Sequence, residues 1–361
     1  MTLAHVVGAR PNFMKMAAVY LAAAGRIHQT LIHTGQHYDQ AMSGVFFDQL
    51  GVPAPDLNLE VGSGSHALQT AEIMVRLERT LTSQPPDIVV VYGDVNSTMA
   101  AALVCSKIGV PVAHVEAGLR SRDRTMPEEI NRIVTDAVAD LLFTPSSDAN
   151  ANLAAEGIPP SRVHLVGNVM IDTLVRLLPQ TDPEAWLGQL NVKRPFALVT
   201  LHRPSNVDDP AMLGPLLGAL AEISGTLDVV FPVHPRTRSR IAALPFPIPE
   251  TLRLIDPLGY LAFLSLEQSA ALVITDSGGV QEESTFFGVP CLTVRDNTER
   301  PITISQGTNR LVGRDPNRLK VEALRALKSP GAKRPAPPFW DGHAGERIVD
   351  LLVAFSKDHT L

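Results

Sequence analysis

Three carboxylic acids stand out in the first half of the chain, two at the ends of apolar runs and one at a helix start. Asp94 follows VVVYG, Glu116 follows VPVAHV, and Glu128 lies in DRTMPEEINR. A run of that kind reads as a buried strand, and a carboxylate at its tip is expensive to hold without compensation. Three such groups at one sheet edge fit general acid–base work, because crowded carboxylates push their proton affinities apart. Simpler duties compete for two of them. Asp94 precedes a helix capped near Ser97 and could itself be a plain cap, and Glu128 and Glu129 could complement a helix dipole. Arg132, on the same stretch, adds a cation.

The segment VVGARPNFMK carries Arg10 and Lys15 on a strand, a Gly turn and a helix start. Two cations there would draw an anion toward a helix N-terminus, although Pro11 also suits an ordinary strand-to-helix turn. HTGQHYDQAM then places Gln36, His37 and Gln40 on a polar loop. In the second half, LVTLHRPSN ends with His202 and Arg203, and VFPVHPRTR with His234, Arg236 and Arg238. The most specific piece is ALVITDSGGVQEESTFFGVP. After the strand come Asp276, Ser277, Gly278 and Gly279, and then a helix whose amides and dipole suit a diphosphate. Glu283, about one helical turn in, can take a ribose diol through two hydrogen bonds. RDNTERP and GTNR add Arg295, Glu299, Arg300 and Arg310. The sum is a diphosphate-binding half and an acid–base half. No dense metal-ligand cluster occurs, and no Gly-rich dinucleotide or Walker fingerprint follows the first strand. Neither a metal nor a nicotinamide cofactor is expected.

These residues need strand ends to hold them. AHVVGA, QTLIHTG, DIVVVYGD, VPVAHVEAG, LLFTPS and RVHLVGN read as strands, and after them FALVTLH, LDVVFPVH, LRLIDP, ALVITDS and PCLTV. They are almost continuously apolar, as parallel strands buried on both faces are. Helical stretches such as Asn12–Ala24, Ala67–Thr82, Thr98–Ile108 and Met212–Ile223 fall between them. The alternation predicts an α/β fold of two Rossmann-like doubly wound domains facing a central cleft, with ligands at the carboxyl ends of the strands. The strand series pauses over Leu174–Arg194, so the expected division is residues 1–175 for the acid–base half and 176–342 for the nucleotide-binding half. A final helix within 343–361, centred on Glu346–Phe355, is expected to rejoin the first domain.

The chain has 361 residues, 45% of them hydrophobic and 19% charged, enough for two full cores. A net charge of -6 argues against a nucleic-acid or membrane-surface partner, each of which needs a basic face. No stretch approaches the roughly 20 apolar residues of a membrane span. The start reads directly as a strand and not as a signal peptide. Cys105 and Cys291 lie in apolar segments and read as reduced, buried thiols of a cytoplasmic protein.

The string GARP…K, TGQH, GD…S, HVEAGLRS…MPEEINR, GN…D, HR…N, DSGG.QEE and TERP…GT.RLVG resembles the non-hydrolysing UDP-N-acetylglucosamine 2-epimerases. It does so in the family order, from Gly8 to about Gly313. The resemblance implies a fold like the B-type glycosyltransferases, and interconversion of UDP-N-acetylglucosamine and UDP-N-acetylmannosamine without added cofactor. By motif, Asp94, Glu116 and Glu128 match the family's acid–base carboxylates and His202 its essential histidine. Arg10, Lys15, Arg132, Ser277, Gly278, Gly279, Glu283 and Arg310 are the implied nucleotide and phosphate contacts. Gln36, His37 and Gln40 match the loop through which bacterial members are activated by substrate. The implied partners are a UDP-amino-sugar and a second copy of the chain.

Two features depart from the family's pattern. Ser205 stands where better-known members carry an acid, and the link from Glu116 to Glu128 is slightly shorter. Both lie near the sugar or the regulatory pocket, so a modified substrate such as a UDP-2,3-diacetamido uronate stands as an alternative. A hydrolysing epimerase releasing N-acetylmannosamine and UDP is a second alternative. A glycosyltransferase would want an acceptor surface that the sequence does not offer. A nucleotide-sugar sensor without turnover would have no use for three acids and His202.

Overall fold

The computed structural model describes residues 1–35, 47, 49–244, 247–328 and 335–359. The chain divides into two compact units, Met1–Val175 with Pro338–Leu361, and Arg176–Pro337. Each is built on one parallel sheet with helices interleaved between its strands.

The first unit contains β1 (Thr2–Val7), β2 (His28–His33), β3 (Leu57–Asn58), β4 (Ile88–Tyr92), β5 (Val112–Val115), β6 (Leu141–Thr144) and β7 (Val163–Leu165). Their spatial order is β3-β2-β1-β4-β5-β6-β7. The chain builds outward from β1 in one direction, then returns to lay β4 on its other side. The carboxyl ends of β1 and β4 therefore flank the point where strand order reverses, the usual place for a ligand in a doubly wound sheet. Gly8 follows β1, Gly93 and Asp94 follow β4, and Glu116 follows β5.

The second unit repeats the plan with β8 (Phe196–Thr200), β9 (Asp228–Pro232), β10 (Leu252–Ile255), β11 (Leu272–Thr275), β12 (Cys291–Thr293) and β13 (Asn309–Leu311). Their order is β10-β9-β8-β11-β12-β13, with the reversal between β8 and β11. Thr200 of β8 pairs in register with Thr275 of β11, so the two strands end level. The lack of polar alternation has a direct cause here. Ala197 and Val199 of β8 pack on one face with Leu216, Leu220 and Ile274, while Phe196 and Leu198 pack on the other with Val273, Leu266 and Cys291. Both faces are core, so both sets must be apolar.

The end of the chain belongs to the first unit, where the Ala344–His359 helix packs on the Arg10–Ala23 helix. Asp172 accepts the Ala344 and Gly345 amides at 3.1 and 2.7 Å and so satisfies donors that a helix start leaves open. A side chain at Gly345 would run into the Ala18 backbone, which sets how closely the two helices cross. Trp340 is buried and donates Nε1–H to the Pro145 carbonyl at 2.9 Å.

Sequence reasoning placed the Asn12–Ala24, Ala67–Thr82, Thr98–Ile108 and Met212–Ile223 helices to within two residues of their ends. The observed spans are Arg10–Ala23, His66–Ser83, Asn96–Ile108 and Pro210–Ser224. Two strands were missed. β3 has two residues, both exposed, and β13 has three and carries Asn309 and Arg310, so neither presents an apolar run.

Candidate active site

In the first unit the turn after β1 is closed tightly. A side chain at Gly8 would collide with the Ser97 and Thr34 hydroxyls, which pair with each other at 2.8 Å. Ser97 therefore does not cap its helix; Val95 occupies that position without a side-chain bond. From the Arg10–Ala23 helix, Lys15 reaches inward, and its Nζ pairs with the Glu116 carboxylate. Both side chains are more than nine-tenths buried. A side chain at Gly93 would fall 2.6 Å from Lys15 Nζ and 3.2 Å from Glu116 Oε2, so that glycine leaves the room the pair occupies.

Glu116 itself lies at φ 73°, in the left-handed region. That conformation costs a non-glycine residue roughly 1–3 kcal/mol and persists only where the surroundings impose it. Here they do. His114, two residues earlier, has Nδ1 2.6 Å from Asp136 and Nε2 2.8 Å from the Gly93 carbonyl. Asp136 also accepts the Gly118 amide at 3.0 Å and pairs with Arg120 at 2.8 Å, and Arg120 grips Glu156. Burial would raise Asp136, but His114 and Arg120 outweigh it and hold the carboxyl below its usual range. The loop from Glu116 to Arg120 thus turns around one buried carboxylate.

Asp94 is partly exposed and its carboxylate pairs with Arg132, which is buried. Arg132 is held in turn by Glu129, at 3.1 Å from Nε and 2.7 Å from Nη2. Glu129 also accepts the Ser121 amide and hydroxyl at 2.9 and 3.0 Å and the Arg122 amide at 2.7 Å. Burial pushes its pKa up, and these donors more than reverse it. Glu129 is therefore a buried clamp, where sequence reasoning saw only a helix-dipole partner. The signal available was its spacing of three from Arg132, one helical turn. Glu128 is half-buried and, among the described residues, takes no hydrogen bond or ion pair. The structure thus gives Glu116 and Asp94 separate cations and leaves Glu128 outside both pairs.

In the second unit, two motifs that lie far apart in sequence close on one carboxylate. Asp276, fully buried after β11, accepts the His202 and Arg203 amides, the nearest contacts being 3.1 and 3.0 Å. It also takes Asn206 Nδ2 at 2.9 Å, and His202 Nδ1 lies 3.0 Å from its Oδ1. Burial would raise Asp276, but these donors bring it below its ordinary value. The His202 ring is 59% exposed, so Asp276 fixes one nitrogen while the imidazole remains accessible.

Ser277 then precedes the Gly278–Phe287 helix. The two glycines differ. A side chain at Gly278 would strike Arg300 and Glu299, whereas one at Gly279 would meet nothing within 4 Å. Gly278 serves packing, and Gly279 leaves the helix start open to a ligand. In the QEE run, Gln281 accepts Thr298 at 2.7 Å, Glu282 pairs with Arg300 at 2.8 Å, and Glu283 accepts Tyr260 Oη at 2.7 Å. Arg295 and Arg300 both hold Glu299, at 2.8 and 2.5 Å. Arg310 is exposed on edge strand β13 and pairs with Glu322 at 2.8 Å. After β9, Arg236 pairs with Asp208 and Arg238 with Asp256, while His234 accepts the Arg236 amide and caps its helix. The side chain of Arg10 and the residues Gln36, His37 and Gln40 lie outside the described residues.

One half thus offers carboxylates, one of them backbone-strained, and the other an anchored imidazole beside an open helix N-terminus. The model of the family described as UDP-N-acetylglucosamine 2-epimerase matches residues 20–353 of this chain. The chain belongs to that family. The UDP-N-acetylglucosamine 2-epimerase of Methanocaldococcus jannaschii is 41% identical over 365 residues, covering 98% of this chain and 99% of its own. The UDP-2,3-diacetamido-2,3-dideoxy-D-glucuronate 2-epimerase of Pseudomonas aeruginosa is also 41% identical, over 358 residues and with the same coverage. A crystal structure of the M. jannaschii enzyme in complex with UDP-GlcNAc and UDP has a TM-score of 0.87 and 40% identity, covering 98% of this chain and 100% of that one. For this member of the 2-epimerase family, sequence reasoning named the groups at the strand ends. It left out of the site the buried residues that hold them: Asp276, Glu129, Asp136 and Tyr260. Apart from Arg132, which lies one turn from Glu129, their partners come from other elements, so little local distinguishes them from caps and core.

Proposed function

We propose that this chain is a non-hydrolysing 2-epimerase that interconverts UDP-N-acetylglucosamine and UDP-N-acetylmannosamine. The observation that carries the reading is the strained Glu116 at the end of β5, next to the reversal point of the first sheet and paired with Lys15 from the helix after β1, in a chain of this family. In the reaction the C2 proton passes to a carboxylate as the C1–O bond breaks, its electron pair leaving with UDP, and a glycal remains. A proton then returns to the opposite face of C2 while UDP adds back at C1, so atoms balance without a cofactor. Asp94, Glu116 and Glu128 are the carboxylates that move the proton. Leaving-group charge is met by Lys15, Arg10, Arg132, Arg310, His202 and the amides of Ser277, Gly278 and Gly279. Glu283 takes the ribose diol. The first unit serves as the acid–base domain and the second as the UDP-binding domain.

A modified UDP-amino-sugar is the second reading, favoured by the equal 41% identity to the P. aeruginosa diacetamido-glucuronate enzyme. Proton NMR of the purified protein with UDP-N-acetylglucosamine in deuterated water separates the readings. Deuterium at C2 with a UDP-N-acetylmannosamine anomeric signal supports the first. Free N-acetylmannosamine with UDP means hydrolysis, and an unchanged spectrum moves the test to the 2,3-diacetamido sugar.

A homodimer in the cytoplasm belongs to the same reading. In the first unit, a concavity of about 540 Å³ is lined by Ala67, Met74, Met99, Pro127 and Ile130, and the His66–Ser83 helix that supplies the first two also exposes Leu68 and Val75. Apolar surface of this kind suits a partner of the same type. Among the described residues no helix is long and apolar enough to cross a membrane. Light scattering of the full chain reads the stoichiometry, and a monomer at micromolar concentration would remove the dimer.

A further inference from the structure

Glu267 ends the Tyr260–Glu267 helix fully buried, and among the described residues neither of its carboxyl oxygens has a hydrogen-bond donor. Its carboxyl meets that of Glu283, an acceptor facing an acceptor. Two ionised carboxylates cannot share such a place, so the contact requires a proton between them. Tyr260, two turns earlier on the same helix face, already donates to Glu283 Oε1 at 2.7 Å. Burial raises Glu283 too, and the two donors oppose that rise; Glu283 is then the acceptor of both, and Glu267, raised further, the group that keeps its proton. Among the described residues, the neighbouring titratable groups do not change that. Burial raises Tyr260, and it pushes the Cys291 thiol of β12 up to about 12, so both stay neutral. Glu282, beside Glu283, is paired with Arg300. From the Pro183–Leu190 helix the one charged residue is Glu184, exposed and paired with Arg194 at 2.6 Å.

We propose that Glu267 is a positioning residue: as a neutral carboxylic acid it donates to Glu283 and, with Tyr260, holds that carboxylate ionised and oriented for the ribose diol of a uridine nucleotide. The proposal rests on the reading of Glu283 as the diol acceptor. It explains why an acid stands where a buried apolar residue would otherwise be expected. Burial raises Glu267 well above the usual carboxylate range, with Glu283 adding to it. Such a group contributes stability below its unfolded value and loses it as pH rises through the folded one.

The test uses the full chain, wild type and two variants, Glu267→Gln and Glu267→Leu. Thermal unfolding is followed without nucleotide from pH 5 to pH 9, and UDP binding is measured by calorimetry over the same range. Glu267→Gln keeps a donor toward Glu283 that cannot ionise. Its unfolding temperature should match wild type near pH 5, exceed it near pH 9, and its UDP affinity should hold to the alkaline end where wild type weakens. Glu267→Leu removes the donor and should weaken UDP by roughly tenfold or more at pH 7. An unchanged pH dependence in Glu267→Gln, or wild-type UDP affinity in Glu267→Leu, would overturn the proposal. Comparing UDP with its 2′,3′-dideoxy analogue on wild type isolates the underlying reading. Equal affinities would take the diol away from Glu283, while the nucleotide-free unfolding curves would still decide where the proton sits.

Discussion

The buried carboxylate of Asp276 lies 3.0 Å from His202 Nδ1, and the imidazole it holds is more than half exposed. A carboxylate on Nδ1 takes the hydrogen of that nitrogen, which leaves Nε2 as the acceptor of the neutral ring. The arrangement is an orienting acid behind a working histidine, reached through the end of a neighbouring strand. Asp276→Asn keeps the shape but can present an N–H to Nδ1 and so stabilise the other tautomer. Turnover should fall by about 100-fold or more, with UDP binding changed much less. Steady-state kinetics alongside UDP calorimetry measures both, and wild-type turnover would remove His202 orientation from the mechanism.

Lys15 and Glu116 form a pair from which neither charge can be removed alone. Replacing Lys15 by Met leaves a buried carboxylate at a strained backbone position without its cation. The expected loss is about 3–5 kcal/mol of stability together with most of the activity. Chemical denaturation of Lys15→Met, Glu116→Gln and the double variant closes the cycle. A coupling near zero would show that the pair is not held as a unit.

Glu129 makes a prediction that depends on pH. Its folded value lies below the ordinary carboxylate value because Ser121, Arg132 and Arg122 outweigh burial. A group lowered in this way contributes stability above its unfolded pKa and loses it as pH falls through the folded one. Glu129→Gln should therefore destabilise the protein at pH 7 by about 2–3 kcal/mol, and by less as the pH drops below about 4. Unfolding curves at pH 7 and pH 3.5 measure this, and an equal deficit at both would place the effect in packing and not in charge. The same substitution loosens Arg132 from behind Asp94, so turnover should fall as well.

What could be read in advance divides along a physical line. Continuous apolar runs exposed both sheets, because strands such as β4 and β8 are core on both faces and can tolerate no polar alternation. The residues at their ends, among them Asp94, Glu116, His202 and Ser277, stood out because polar groups there interrupt that pattern. β3 and β13 could not be seen, since their pairing is set by neighbours and not by their own residues. Glu129 and Asp276 carry local patterns, a helix first turn and a strand-end acid, that fit a cap as well as a clamp. What decides between those is the set of amides and side-chain donors brought by other elements, joined for Glu129 by Arg132 of its own helix. Ser97 failed in the opposite sense: its position suited a cap, but the end of β2 supplied Thr34 as a competing partner.

Gly278 and Gly279 are adjacent in one motif and should fail differently. At Gly278 an added methyl meets Arg300 and Glu299, in a cluster where Arg295, Glu299, Arg300 and Glu282 are already paired. Gly278→Ala should cost about 1–3 kcal/mol through overpacking and weaken UDP through the displaced helix start. At Gly279 the methyl enters open space, and alanine is the better helix former by about 1 kcal/mol. Gly279→Ala should therefore unfold at the same temperature as wild type or higher. Its methyl would nevertheless stand where the diphosphate approaches the amides, so UDP should bind roughly tenfold more weakly or worse. Stability and affinity moving in opposite directions is the signature to look for, by thermal unfolding and calorimetry on the same samples. If Gly279→Ala bound UDP as wild type does, the diphosphate would not lie against this helix start, and the anion site would have to be sought elsewhere in the second unit.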